Sequence, residues 1–200
     1  LPRLGEAGAL DLAAERQLGD RIAQQIYRDP DFLDDPVLVD YLATIWQPLL
    51  AAAQARGDVP ADLNERFAWQ LMPVRDRTVN AFALPGGYFG IHLGLIATVA
   101  TADELASVLA HELSHVSQRH ISRMMAQQDR QMPWLVGAMV LGLLAAHAAK
   151  NADIGQAAMV GGQALAAQTQ LNFSRDMERE ADRVGYGVMT SAGFDGLAFV

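Results

Sequence analysis

His111-Glu112-Leu113-Ser114-His115 is the stretch from which the rest of this 200-residue chain is read. Four residues advance an α-helix by roughly 400°, so the two imidazoles project from one face about one turn apart and can share an ion. Zinc accepts neutral imidazole readily, and a catalytic zinc site keeps three protein ligands and leaves its fourth position to water. Glu112 lies about 100° round from His111, near enough to touch that water without ligating the metal, which is the place of a general base. Upstream, Thr101-Ala102-Asp103-Glu104 is a capping box, and Leu105, Val108, Leu109, Leu113 and Val116 follow at helical spacing. The motif therefore falls inside a helix on a buried stripe, where a glutamate between two histidines needs a compensating charge.

Composition bounds the rest. An apolar content of 51% in 200 residues is ample for a hydrophobic core. The net charge of -8 argues against nucleic acid as a partner, and no run of Lys or Arg suggests a polybasic membrane patch. Cysteine is absent, so no disulfide framework holds the fold. The chain opens at Leu1 rather than Met and is expected to be processed or a fragment.

Ahead of the motif, Ala9 to Tyr27 reads as an amphipathic helix with Leu10, Ala14, Leu18, Ile22 and Ile26 on one side. Asp34-Asp35-Pro36 caps a second helix running to about Arg56. Residues 1–66 are thus expected to be helices packing on a catalytic core at 67–194. From Phe67 the pattern changes: Phe67, Trp69 and Leu71 alternate, then Val79, Ala81 and Ala83 against Asn80, Phe82 and Leu84. Pro85-Gly86-Gly87 turns into a third strand, Tyr88 to Ile91, and a short helix from Leu93 to Ala100 follows. The expected fold class is α+β and mostly α-helical, with a small antiparallel sheet of three strands next to the motif helix. A strand edge at Asn80-Ala81-Phe82-Ala83 beside a metal could bind a polypeptide substrate in extended form by backbone pairing.

A third ligand has to come from elsewhere. A metzincin would place Gly and His where this chain has Gln118 and Ile121, so that pattern is excluded. His120, five residues after His115, would sit about 140° off the ligand face of a continuous helix. The best remaining candidates are acidic and lie in Ser174-Arg175-Asp176-Met177-Glu178-Arg179-Glu180-Ala181-Asp182. On a helix, Glu178 and Asp182 share a face there, while Glu180 points about 200° away from Glu178.

The H-E-L-S-H motif followed by this E-x-x-A-D pattern resembles the gluzincin zinc metallopeptidases of the CAAX prenyl protease, HtpX and BepA type. Asn80 to Ala83 with Pro85-Gly86-Gly87, and Arg119-His120, resemble the flanking stretches of the same family. The match covers about Phe67 to Phe194 and is nearest the periplasmic BepA-type branch. By position the resemblance implies Glu178 as third zinc ligand beside His111 and His115, Glu112 as catalytic base, and Asp182 as support for a ligand. Physical reasoning agrees for Asp182: ligating imidazoles donate their other ring N–H to a carboxylate, and Asp182 lies one turn from Glu178. The oxyanion donor stays open among Tyr186, His120, Arg175 and residues beyond the C-terminus.

Resemblance also implies one zinc ion, peptide-bond hydrolysis of misfolded or misassembled outer-membrane proteins, and a periplasmic location associated with the outer membrane. Residues 133–171 are apolar and small and read as a helical hairpin, a candidate for peripheral membrane or outer-membrane protein contact. Residues 195–200 are a candidate start of a C-terminal repeat domain that this chain lacks. Two other readings stand: an integral-membrane prenyl-protease or HtpX-like fragment, and a zinc-stabilised chaperone or scaffold with little proteolysis. Several long apolar spans would be needed for the first; Glu112 is superfluous in the second.

Overall fold

In a computed structural model, residues 11–129 and 173–199 are described; the expected hairpin at 133–171, His147 within it and the first ten residues lie outside them. The elements run α1 (Leu12–Ile26), α2 (Pro36–Arg56), α3 (Ala61–Arg66), β1 (Gln70–Val74), β2 (Ala81–Leu84), β3 (Tyr88–His92), α4 (Leu93–Thr98), α5 (Ala102–Ser117), α6 (His120–Asp129) and α7 (Arg175–Ser191), then a 3-10 turn at Gly196–Ala198. This is the expected α+β, mostly helical class. Side chains dictate the helix ends. Asp11 caps α1, Asp35 accepts from Val37 N–H and Leu38 N–H ahead of Pro36, and Gly57 ends α2 at φ 79°. Thr101 accepts from Glu104 N–H at the start of α5, and Glu104 reaches back to Ala100 N–H.

The sheet differs from expectation in one respect. It has three strands in the order β1-β3-β2, with β2 antiparallel to β3 but β1 parallel to it, so it is mixed. The reason lies at Trp69, whose φ of 51° interrupts the alternation read from Phe67 to Leu71. Phe67 instead caps the C-terminus of the short helix α3. Ala68 N–H donates to Gly86 O and Gln70 N–H to Gly87 O, so β1 starts beside the turn from which β3 starts and runs with it. Gly86 and Gly87, at φ 74° and 82°, make that turn in a region closed to most side chains. Trp46 of α2 donates its indole N–H to Trp69 O, fixing the strained residue in the core.

The outer edge of β1 is covered: Leu33 N–H donates to Pro73 O and Arg75 N–H to Asp31 O. Among the described residues the edge of β2 is the uncovered one, and it lies along α5. The core joins Leu42, Ile45 and Leu49 of α2, Phe89 and Ile91 of β3, Leu105, Leu109 and Leu113 of α5, and Val184, Val188 and Met189 of α7. α2 is long and apolar enough to cross a bilayer by length and composition, and its inward face is spent on this core.

Among the described residues α5 and α7 are the most extensively packed helix pair. A Cβ on Gly185 would stand 3.1 Å from the carbonyl carbon and oxygen of Ala110 and from the nitrogen of His111. These are backbone atoms inside a helix and cannot step aside, so the crossing depends on glycine. Gly185→Val is expected to lower stability by about 1–3 kcal/mol through overpacking, measured as a reduced urea midpoint with unchanged m-value.

Candidate active site

The motif helix brings its two imidazoles to one face, as a four-residue spacing requires. His111 Nε2 and His115 Nε2 lie 2.9 Å apart. The close crossing of α7 then carries Glu178 to them, its Oε2 3.4 Å from His111 Nε2 and 3.8 Å from His115 Nε2. One ligand atom from each of the three residues lies within 4.8 Å of the others. Tetrahedral zinc with bonds of 2.0–2.1 Å separates its donors by about 3.3 Å, so separations of 2.9, 3.4 and 3.8 Å fit such an ion.

Donor chemistry fits as well. Asp182 Oδ1 lies 3.0 Å from His111 Nδ1, which keeps the ring proton on Nδ1 and leaves the Nε2 lone pair facing the cluster. Burial, with the neighbouring His111 and His120 adding to it, pushes the His115 pKa down to about 3, so this imidazole is neutral, the form that binds metal. Burial raises Glu178, with His111 opposing and Asp182 reinforcing the shift. A carboxylate raised by desolvation is one that a cation would return to its ionised form.

Glu112 stands beside the cluster. Desolvation of its carboxyl pushes the pKa up to about 8, offset in part by a hydrogen bond from Ala83 N–H and reinforced by Glu178. That bond ties the motif to the sheet. His92 N–H donates to Asn80 O across the β2–β3 ladder, and the alternation of antiparallel pairing turns the N–H and C=O of Ala81 and Ala83 outward. Ala83 gives its outward N–H to Glu112; Ala81 presents both groups at the edge. Asn80 and Phe82 face the ladder instead, and the Phe82 ring lies over Gly90 and edge-on to His92. His92 bonds Thr78 Oγ1 through Nδ1 and is not in the His111, His115 and Glu178 group.

Three contributors were not legible in the motif. His120 turns back beneath His115, with Nδ1 2.9 Å from His115 Nδ1, because the helix does not continue: Arg119 takes φ 55° and α6 restarts at His120. Glu180, pointing away from Glu178, holds the far side of His120 at 3.1 Å. Phe173 stacks on His115 with ring centroids 4.0 Å apart. The angle of a continuous helix was the only signal available for His120, and a left-handed arginine defeats it. Of the open oxyanion candidates, His120 is consumed in this contact and fully buried, while Tyr186 packs edge-on against Phe199.

Two helices meeting around a His-His-Glu donor set beside an edge strand are the layout of the gluzincin class of metallopeptidases. The chain belongs to peptidase family M48, which matches residues 42–200. It is 37% identical over 197 residues to the beta-barrel assembly-enhancing protease of Yersinia pestis, covering 98% of this chain and 38% of that one. To the protein of the same name from Escherichia coli it is 34% identical over 199 residues, 98% of this chain and 38% of the other. The mitochondrial metalloendopeptidase OMA1 of Saccharomyces cerevisiae is 30% identical over 155 residues, 76% of this chain and 41% of that protein. The chain thus spans about two-fifths of the length of the curated relatives it matches.

Proposed function

We propose that this protein is a zinc-dependent endopeptidase acting on unfolded or misassembled polypeptides. The observation that carries the reading is the meeting of His111 Nε2, His115 Nε2 and Glu178 Oε2 around one position. We assign these three as the zinc ligands, Glu112 as the catalytic base, Asp182 as the group that orients His111, and residues 67–194 as the catalytic core. When bound, zinc supplies a Lewis acid for the scissile carbonyl and brings the pKa of water towards neutrality. Glu112 takes the proton of the attacking water and passes it to the leaving amine. A carboxyl held near 8 by desolvation is mostly protonated at neutral pH, and positive charge beside it would favour its ionised form.

The edge formed by Asn80, Ala81, Phe82 and Ala83 binds the substrate as an added strand, with Ala81 supplying the outward pair of backbone groups. Backbone pairing makes weak demands on sequence and suits a protease that meets exposed, extended segments. Through its similarity to beta-barrel assembly-enhancing proteases we place the whole protein in the periplasm, at the outer membrane, in the quality control of proteins inserted there. A zinc-stabilised scaffold is the weaker reading, because it has no use for a desolvated glutamate held against a strand edge.

Three outcomes are expected. Glu112→Gln keeps one zinc per chain but slows casein cleavage by about 100- to 10,000-fold; undiminished cleavage by this variant would remove Glu112 as the base. Metal analysis of His111→Ala and Glu178→Ala is expected to show loss of zinc, and a chelator is expected to stop cleavage by the parent protein. Ala81→Pro removes an outward N–H that no ladder bond uses, and is expected to lower kcat/KM about tenfold, the worth of one hydrogen bond, at unchanged zinc content. Equal kcat/KM would place the substrate elsewhere than this edge.

A further inference from the structure

Behind His115 lies a second set of polar groups that the ligand assignment does not use. His115 Nδ1 is 2.9 Å from His120 Nδ1, and His120 Nε2 is 3.1 Å from Glu180 Oε2, to which Arg123 Nη1 also donates at 2.9 Å. The imidazoles of His115 and His120 are 2% and 0% exposed, so water does not complete their hydrogen bonding. Phe173 closes the remaining side, stacked on His115 and tilted against His120 at 5.9 Å.

The protons in this chain have only one consistent order once His115 gives its Nε2 lone pair to a cation. Nδ1 of His115 then carries the ring proton and donates it, so Nδ1 of His120 accepts. His120 therefore holds its proton on Nε2 and donates to Glu180, whose charge Arg123 balances. A proton on His120 Nδ1 would set two N–H groups against each other at 2.9 Å. The two ligand histidines are thus supported differently: His111 meets the Asp182 carboxylate directly, and His115 meets the Glu180 carboxylate through an intervening imidazole.

We propose that His120, Glu180 and Arg123 form a positioning relay that fixes the tautomer and ring orientation of His115, so that Glu180 governs metal affinity without touching the metal or its ligands. The relay rests on the proposed zinc site and adds to it a remote carboxylate on the opposite face of α7 from Glu178. Outer partners of ligating histidines typically contribute about 10- to 100-fold in metal affinity.

The test is competition for zinc between a chromophoric chelator and the full chain, with the absorption bands of the cobalt-substituted protein as a second readout. His120→Phe is expected to weaken zinc about 10- to 100-fold and Glu180→Gln about threefold to tenfold, with cobalt bands shifted in both. His120→Asn, whose amide oxygen can accept from His115 Nδ1–H, is expected to recover part of the loss, which a merely structural role for His120 would not produce. His111→Ala and Glu178→Ala serve as ligand controls. If these controls lose zinc while His120→Phe and Glu180→Gln stay within twofold of the parent with unshifted bands, the relay is refuted and the site survives. If the controls keep zinc, the site reading itself falls and the relay with it. Should His120→Phe fail to fold, the partly exposed Glu180→Gln decides alone.

Discussion

The structure depends on two helices approaching closely enough for a carboxylate on one to reach two imidazoles on the other. Gly185 against the backbone of Ala110 and His111 sets that distance, and Ala106, Ala110 and Ala181 are all fully buried on the same two helices. Ligand atoms at the end of short side chains tolerate little error: an ångström of extra separation would take Glu178 out of reach of a shared ion. The core of α2, β3, α5 and α7 makes the crossing rigid, and each proposed ligand is then trimmed locally, His111 by Asp182 and His115 by the groups beneath it.

The second constraint is the sheet. Its β1 edge is taken up by the Asp31–Leu33 segment, and its β2 edge runs beside α5, where we propose that an incoming strand pairs. The hydrogen bond from Ala83 to Glu112 ties that edge to the carboxylate we propose as the base. Sheet and motif helix are thus joined by a backbone hydrogen bond as well as by core packing.

Much of this was legible in the residues because it depends on short-range regularity. A four-residue spacing fixes two histidines on one helix face, and Thr101 and Glu104 mark where that helix begins. Glu178 and Asp182 repeat the device on α7. What could not be read depends on single backbone angles. Trp69 at φ 51° turned an apparent alternating strand into a kink and set β1 parallel to β3, and Arg119 at φ 55° folded His120 back under His115. Neither residue type announces a left-handed conformation, which tertiary contacts impose at some cost in strain. Long-range partners such as Glu180 with His120 have no periodic signature at all.

Glu15, 1% exposed on α1, meets Arg119 Nη2 at 3.0 Å, and Arg119 is the left-handed residue that precedes His120. Buried ion pairs are strongly disturbed when one member is taken away, because the survivor stays desolvated. Helix α1 lies ahead of residue 42, where the family match starts, yet its carboxylate braces the bend on which His120 hangs. A protein trimmed to residues 42–200 would keep His111, His115 and Glu178 and lose the strut beneath them.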